Sequence, residues 1–325
     1  MKQYGSLYIL LLLTLAVACT DDIDIDLPQG EDQVVVEGYI EQGLPPLVIV
    51  SRTMPFYGEI TTASINESIV GGATVVVSSG EQSDTLIELQ SDSLFALLDF
   101  MEDSLGISID ADEILTQFGV DPDIFGEISF SIYTTPFVLG EVGATYDLEV
   151  ILPEGGEKLT ATTTIPAPLP LDSVWTTPHP DPLKDSLVQL WVRFTDVAGQ
   201  RNYIRYFTQR NLEPFYPGYF NSVFDDQSLV ELEGQSFSFA LERGYNRNTQ
   251  IDDFENYNYF MKEDTIRVRW CSIDREHHAF WSTLEFNRGQ TGNPFGRPST
   301  ITSNINGGIG IWGGYGASYH VVMPE

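Results

Sequence analysis

Cys19 sits in the setting that most directly prescribes a reaction. Lys2 precedes an apolar run from Leu7 to Val17, and Ala16-Val17-Ala18 leads into the cysteine. The run is shorter than the ~20 residues a membrane-spanning helix needs and has the length of a signal-peptide core. Small residues directly before a cysteine are the pattern of a lipoprotein signal. In such a signal the cysteine sulfur is lipidated and cleavage before it makes the cysteine the new N-terminus, and this is the expectation for Cys19. Residues 1–18 are therefore expected to be a signal peptide, with the mature chain held on a membrane by acylated Cys19.

A second chemistry is expected in loops rich in aromatic residues. Phe215-Tyr216-Pro217-Gly218-Tyr219-Phe220 is followed by Asp225 and Asp226, and Arg243-Gly244-Tyr245-Asn246-Arg247 leads to Phe254, Tyr257, Tyr259 and Phe260. Aromatic rings beside arginine and aspartate suit a protein hot spot or stacking against sugar rings. Tyr216, Tyr219, Phe220, Asp225, Asp226, Arg243, Tyr245 and Arg247 form the candidate interaction surface, with packing of a second core as the alternative.

Catalytic and metal-binding patterns are missing from the sequence. It carries no nucleophile elbow, HExxH, P-loop, CxxC pair or EF-hand loop. Asp22, Asp24 and Asp26 have calcium-loop spacing, but the glycine and terminal glutamate such a loop needs do not follow. Gly308, Gly310 and Gly313 spell GxGxxG, yet only 12 residues follow Gly313. A dinucleotide-binding unit cannot fit there, so a glycine-rich strand is expected. Adjacent His277 and His278 point to different sides of a helix and cannot chelate one ion as an i, i+4 pair could. No catalytic residue, metal ligand or cofactor is assigned.

These residues need a scaffold, and composition says which kind. The 325-residue chain is 42% hydrophobic and 12% aromatic, a globular balance. Net charge is −31, concentrated in residues 20–165, where 28 acidic residues face only Arg52 and Lys158. Such a field excludes nucleic acid as a partner. After Cys19 only Cys271 remains, so no disulfide framework exists. Cys271, in the alternating run RVRWCSID, is expected to be a small buried apolar residue.

Residues 19–32 read as an acidic tether broken by Pro28 and Gly30. Strand patterns follow at Gln33–Ile40, Pro46–Arg52, Ala73–Ser79, Asp84–Leu89, Glu127–Tyr133, Thr145–Leu152 and Glu157–Thr164. They predict an immunoglobulin-like β-sandwich over residues 33–165. Asp92–Leu105 and Asp112–Phe118 carry apolar residues at helical spacing and predict a helical insertion at about 91–119. Six prolines between 166 and 182 predict a stiff connector between two domains. Residues 183–325 then predict a second β-rich domain. Its strands are Leu187–Thr195, Asn202–Thr208, Ser236–Leu241 and Thr265–Ser272, followed by one C-terminal helix over Asp274–Arg288 and a strand pair over Asn306–Met323.

The strings CTDDIDIDLP, VVVEGYIEQGLPP, GEVGATYDLEV, TATTTIPAPLPLDSVW, NSVFDDQ, RWCSIDREHHAFWSTLE and SNINGGIGIWGGYG together resemble a family of Bacteroidota outer-membrane lipoproteins built on a domain of unknown function. Genes of that family commonly lie beside TonB-dependent receptors. The resemblance implies an outer-membrane, surface-exposed location, with Asp21 and Asp22 similar to the acidic export signals of such lipoproteins. It also implies a TonB-dependent outer-membrane receptor as partner. The expectation is a non-enzymatic accessory or ligand-capturing subunit of that transporter. The rival is a stand-alone surface binder of glycan, peptide or metal chelate.

Overall fold

The computed structural model describes residues 32–54, 61–91, 93, 129–153, 156–226, 234–246, 251, 253–290 and 299–324. The signal peptide, Cys19, Asp21, Asp22, most of the tether and the expected helical insertion lie outside the described residues. In chain order the elements are β1 (Val34–Glu41), β2 (Leu47–Arg52), α1 (Thr62–Ser68), β3 (Thr74–Ser79), β4 (Gln82–Thr85), β5 (Ile87–Gln90), β6 (Ser131–Thr134), β7 (Thr145–Ile151), β8 (Lys158–Thr164) and β9 (Ser173–Pro178). They continue with β10 (Leu187–Thr195), β11 (Tyr203–Arg210), β12 (Tyr216–Pro217), β13 (Val223–Asp225), β14 (Ser236–Ala240), β15 (Phe260–Met261), β16 (Ile266–Ile273), α2 (Arg275–Gly289) and β17 (Ile309–Val322). The chain is mainly β and sandwich-like, as its alternation predicts.

One large sheet organises the fold. Its order is β12-β11-β16-β17-β1-β2-β6-β5, with β13 also on β11. The expected pair of strands over Asn306–Met323 is instead this single long β17. Its first half runs parallel to β1, from Val35↔Ile309 to Glu41↔Tyr315. Its second half is antiparallel to β16, from Ser272↔Gly316 to Ile266↔Val322. Both faces of these central strands are covered, so the alternating apolar and polar residues of β1 are all wholly or partly buried.

Two four-stranded sheets, β4-β3-β7-β8 and β14-β10-β15 with β9 on β10, accompany the large one. On one face, Val36, Ile40 and Trp312 pack with Val75, Val77, Leu148 and Leu159 of the first small sheet. On the same face further along, Ile204, Ile266, Val268 and Trp270 pack with Val188, Leu190, Val192 and Phe194 of the second. The opposite face carries Tyr39, Phe207, Cys271, Ile311 and Tyr315, covered by Phe280 and Trp281 of α2. Asp274 caps α2 as its sequence predicts, accepting from the His277 backbone N–H at 2.8 Å.

The proline-rich segment does not divide the chain into two domains. Residues 32–325 form one compact unit, because β17 hydrogen-bonds to strands from both sides of it. The first part of the segment, residues 166–171, is a strap lying on β17, and Ser173–Pro178 is β9, paired with β10. Gly314 and Gly316 lack side chains where the strap's backbone crosses. A Cβ at Gly316 would stand 2.1 Å from the Pro166 carbonyl oxygen, and one at Gly314 2.7 Å from that of Thr164. Further along, the Leu169 N–H donates to Ser272 Oγ (3.1 Å) and the Leu171 N–H to His320 Nε2 (3.3 Å). Proline density does signal an extended chain here, but one held by the sheet.

Candidate functional site

β12 and β13 are two short strands on β11, and they occupy different ends of it. Tyr216 and Pro217 pair with Thr208 and Phe207. Val223, Phe224 and Asp225 pair with Arg205, Ile204 and Tyr203. The turn between them projects Tyr219 and Phe220. Gly218 is required there, since a Cβ would meet the Tyr206 hydroxyl at 2.2 Å. The segment after β14 returns to the same place, bridging Gly244 to Gly218 and donating the Gly244 N–H to Thr208 Oγ1 at 2.7 Å.

This convergence builds an aromatic surface. Phe220 meets Tyr219 at 4.9 Å and 87°, and Tyr257 at 5.6 Å and 90°, both edge to face. Tyr245 lies 6.1 Å from Tyr219, and Phe254 lies 6.4 Å from Tyr257. Edge-to-face pairs are the favoured arrangement of ring quadrupoles. Phe220 is 55% exposed and Phe254 58%. Glu242 braces the group, accepting from the Phe220 N–H (3.1 Å) and the Tyr257 hydroxyl (2.9 Å). Burial, and next the hydrogen bond to Glu242, push the Tyr257 hydroxyl up to about 12. Arg243 stacks on Tyr245 at 4.5 Å and on Phe260 at 5.6 Å.

Of the sequence candidates, Tyr219, Phe220, Arg243 and Tyr245 are thus brought together, with Phe254 and Tyr257 from the neighbouring run. Tyr216 is a half-buried strand residue at the margin. Asp225 and Asp226 belong elsewhere, at the other end of β11. Asp225 pairs with Arg201 at 2.7 Å, and buried Asp226 accepts from the Asn202 side chain at 2.6 Å. Burial, then the neighbouring Asp196, raise the Asp226 carboxyl. Arg247 lies outside the described residues.

On the face of the large sheet that α2 covers lies a second group that sequence reasoning missed. Glu41 and Arg269 form a buried ion pair, and Tyr319 donates to Glu41 at 2.6 Å. Arg205 hydrogen-bonds the Tyr315 hydroxyl and lies 3.3 Å from the centre of the Trp281 ring. Glu37, Tyr39, His277, Trp281 and Tyr315 line a cavity of about 10 Å³, room for one water molecule. Burial pushes the Glu37 carboxyl up to about 7, opposed by Arg205. Burial, reinforced by the Arg205 charge, drives His277 well below its usual range. The cavity leaves no room for a substrate. His277 packs at a tilt against Tyr315 (4.6 Å, 57°) and His278 against Tyr203 (5.0 Å, 39°), so the two rings do face different neighbours. Cys271 is buried in the core as its alternating strand predicts.

No curated protein matches this sequence. A family profile described as a domain of unknown function (DUF4249) matches residues 20–319. The match covers most of the chain, including both small sheets, the strap and the aromatic surface, and the protein belongs to that family.

Proposed function

We propose that the protein is a non-enzymatic, lipid-anchored component of the outer membrane that docks on a TonB-dependent transporter through its aromatic surface. The observation that carries this reading is the exposure of Phe220 and Phe254 within an edge-to-face cluster held rigid by Glu242. Aromatic rings fixed before binding lose little entropy on docking, and such residues dominate interface energies. Acylation of Cys19 would confine the protein to the plane of its partner, so that a weak contact suffices. The acidic residues after Cys19 fit presentation at the cell surface.

The test is purification of the lipidated protein from native membranes. A large β-barrel receptor is expected to accompany it. Tyr219→Ala/Phe220→Ala/Tyr257→Ala should lose that receptor while remaining folded. Cys19→Ala should leave the membrane fraction or accumulate as uncleaved precursor. Retention of the receptor by the folded triple variant would reject the docking surface.

A further inference from the structure

β17 is open along one edge for part of its length. Its odd-numbered residues direct their backbone groups toward β1, whose last partner in the register is Glu41, opposite Tyr315. Gln42 continues the pairing a little further. Its backbone N–H donates to the Tyr315 carbonyl at 3.3 Å. Its side-chain amide then holds the next odd residue, Ala317, accepting from the N–H at 2.7 Å and donating to the carbonyl at 2.5 Å. Beyond Ala317 the bonds to β16 are made by Ser318, His320 and Val322, opposite Trp270, Val268 and Ile266. Tyr319 and Val321 therefore aim their N–H and C=O groups the other way, and among the described residues those groups meet no hydrogen-bond partner.

The same stretch is apolar and exposed. Tyr319, Val321 and Met323 share one face and are 53%, 57% and 70% exposed. The strap lies on the other face, where the Leu171 N–H reaches His320. An open edge normally carries a lysine, an inward-pointing charge or a bulge that stops another chain from pairing with it. None of these guards Tyr319 to Met323, and only Pro324, which has no N–H, ends the row. Arg267, across the ladder from Val321, is turned away to Gln209 Oε1 (3.2 Å) and the Asn211 carbonyl (2.8 Å). Between Arg297 and Glu325 the chain contains no Asp, Glu, Lys or Arg, although its net charge is −31. The uncharged run coincides with the open edge. A second copy of that run brings no charge to the contact, so two such edges meet without the repulsion that separates the rest of the molecules.

We propose that β17 pairs antiparallel with β17 of a second copy of this chain, about a two-fold axis at Val321. This register bonds Val321 to Val321 of the partner subunit and Tyr319 to Met323 of the partner subunit, and it uses every open backbone group of the edge. It also sets each Tyr319 ring beside a methionine thioether, a favourable contact. An axis at Tyr319 would need the backbone groups of Ala317, which Gln42 already holds. The contact is distinct from the aromatic surface around Phe220 and does not require the transporter.

In this register the two Val321 Cα atoms lie about 5.5 Å apart, within reach of a disulfide. The experiment places Val321→Cys in the full chain, oxidises intact host cells with copper phenanthroline and reads mass on a non-reducing gel. A band at twice the monomer mass is expected, and Tyr319→Cys/Met323→Cys should give one too. Wild type is the blank for Cys19 and buried Cys271, and Leu212→Cys, at an exposed loop position, is the control for random collision. Both should stay monomeric. Adding Val321→Pro to Tyr319→Cys/Met323→Cys should abolish the band, because it removes an outward N–H while sparing the bonds to β16. Circular dichroism melts show whether that variant folds, and if it does not, Val321→Lys serves in its place by setting like charges opposite each other. A monomeric Val321→Cys, an equal band from Leu212→Cys, or a crosslink that survives in the folded proline or lysine variant would overturn the proposal. A product joined to a protein of different mass would assign the edge to a foreign strand and likewise reject the second copy.

Discussion

Glu41 and Arg269, separated by 228 residues, form an ion pair in which each side chain is only 2% exposed. The pair joins β1 to β16 across β17, with the Arg269 guanidinium also over Phe207 and Tyr315 at 4.9 and 5.1 Å. Removing one member of a buried pair leaves the other charge without its counterion. Glu41→Ala should therefore cost about 3–5 kcal/mol, measured by urea unfolding. Glu41→Leu/Arg269→Met should recover most of that loss. A loss below ~1 kcal/mol for Glu41→Ala would mean that water reaches the pair.

Glu37 gives the fold a pH dependence of definite sign. Its carboxyl rises from 4.5 to about 7 on folding. Between those values the unfolded chain has released the proton and the folded chain still holds it. Its contribution therefore falls as pH rises through that window and levels off above 7. Glu37→Gln should gain stability relative to wild type between pH 4 and pH 8, by up to about 3 kcal/mol. Using the difference between the two proteins cancels His277, whose lowered affinity for protons acts in the opposite direction. A difference that shrinks with rising pH would contradict the assignment.

Gly316→Ala should lift the strap from β17, because the new methyl group would meet the Pro166 carbonyl. The expected loss is about 1–3 kcal/mol, typical of overpacking. Gly289→Ala is the control. That position is the last residue of α2, where an added methyl group would have no neighbouring atom within 4 Å, and alanine there should be neutral or stabilising. Equal melting temperatures for the two variants would show that the strap is not tightly seated.

Residues 32–165 and 166–325 expressed separately should not fold. The first fragment would lack Trp312 and Ile305 from its core, and the second would lose the β1 partner of β17. Cooperative unfolding of either fragment alone would restore the two-domain reading.

Individual elements were legible in the sequence where one face meets a core and the other does not. The alternation of Leu187–Thr195 predicts β10 with its observed bounds, and Asp274 marks the start of α2. Partnerships between distant segments were not legible. Nothing local in VVVEGYIE specifies β17 as its neighbour. Glu37 and Arg205 alternate with apolar residues just as a solvent-facing row would, and His277 and Trp281 of α2 close over them. The candidate surface was partly legible. Aromatic residues in glycine-containing turns do gather, but Asp225 and Asp226, although near in sequence, are carried away by β13.

The position of β17 also sets the order in which the chain can become complete. β1 is synthesised early, yet its parallel neighbour spans residues 309–322. Until that segment emerges, β1 and β16 both present open hydrogen-bonding edges, the kind of surface on which chains pair with the wrong partner. Closing a loop of this length before any reward is a slow step. Assembly of the large sheet therefore waits until residues 309–322 are made, and truncation within β17 should yield a sticky, aggregation-prone product rather than a shorter version of the same protein.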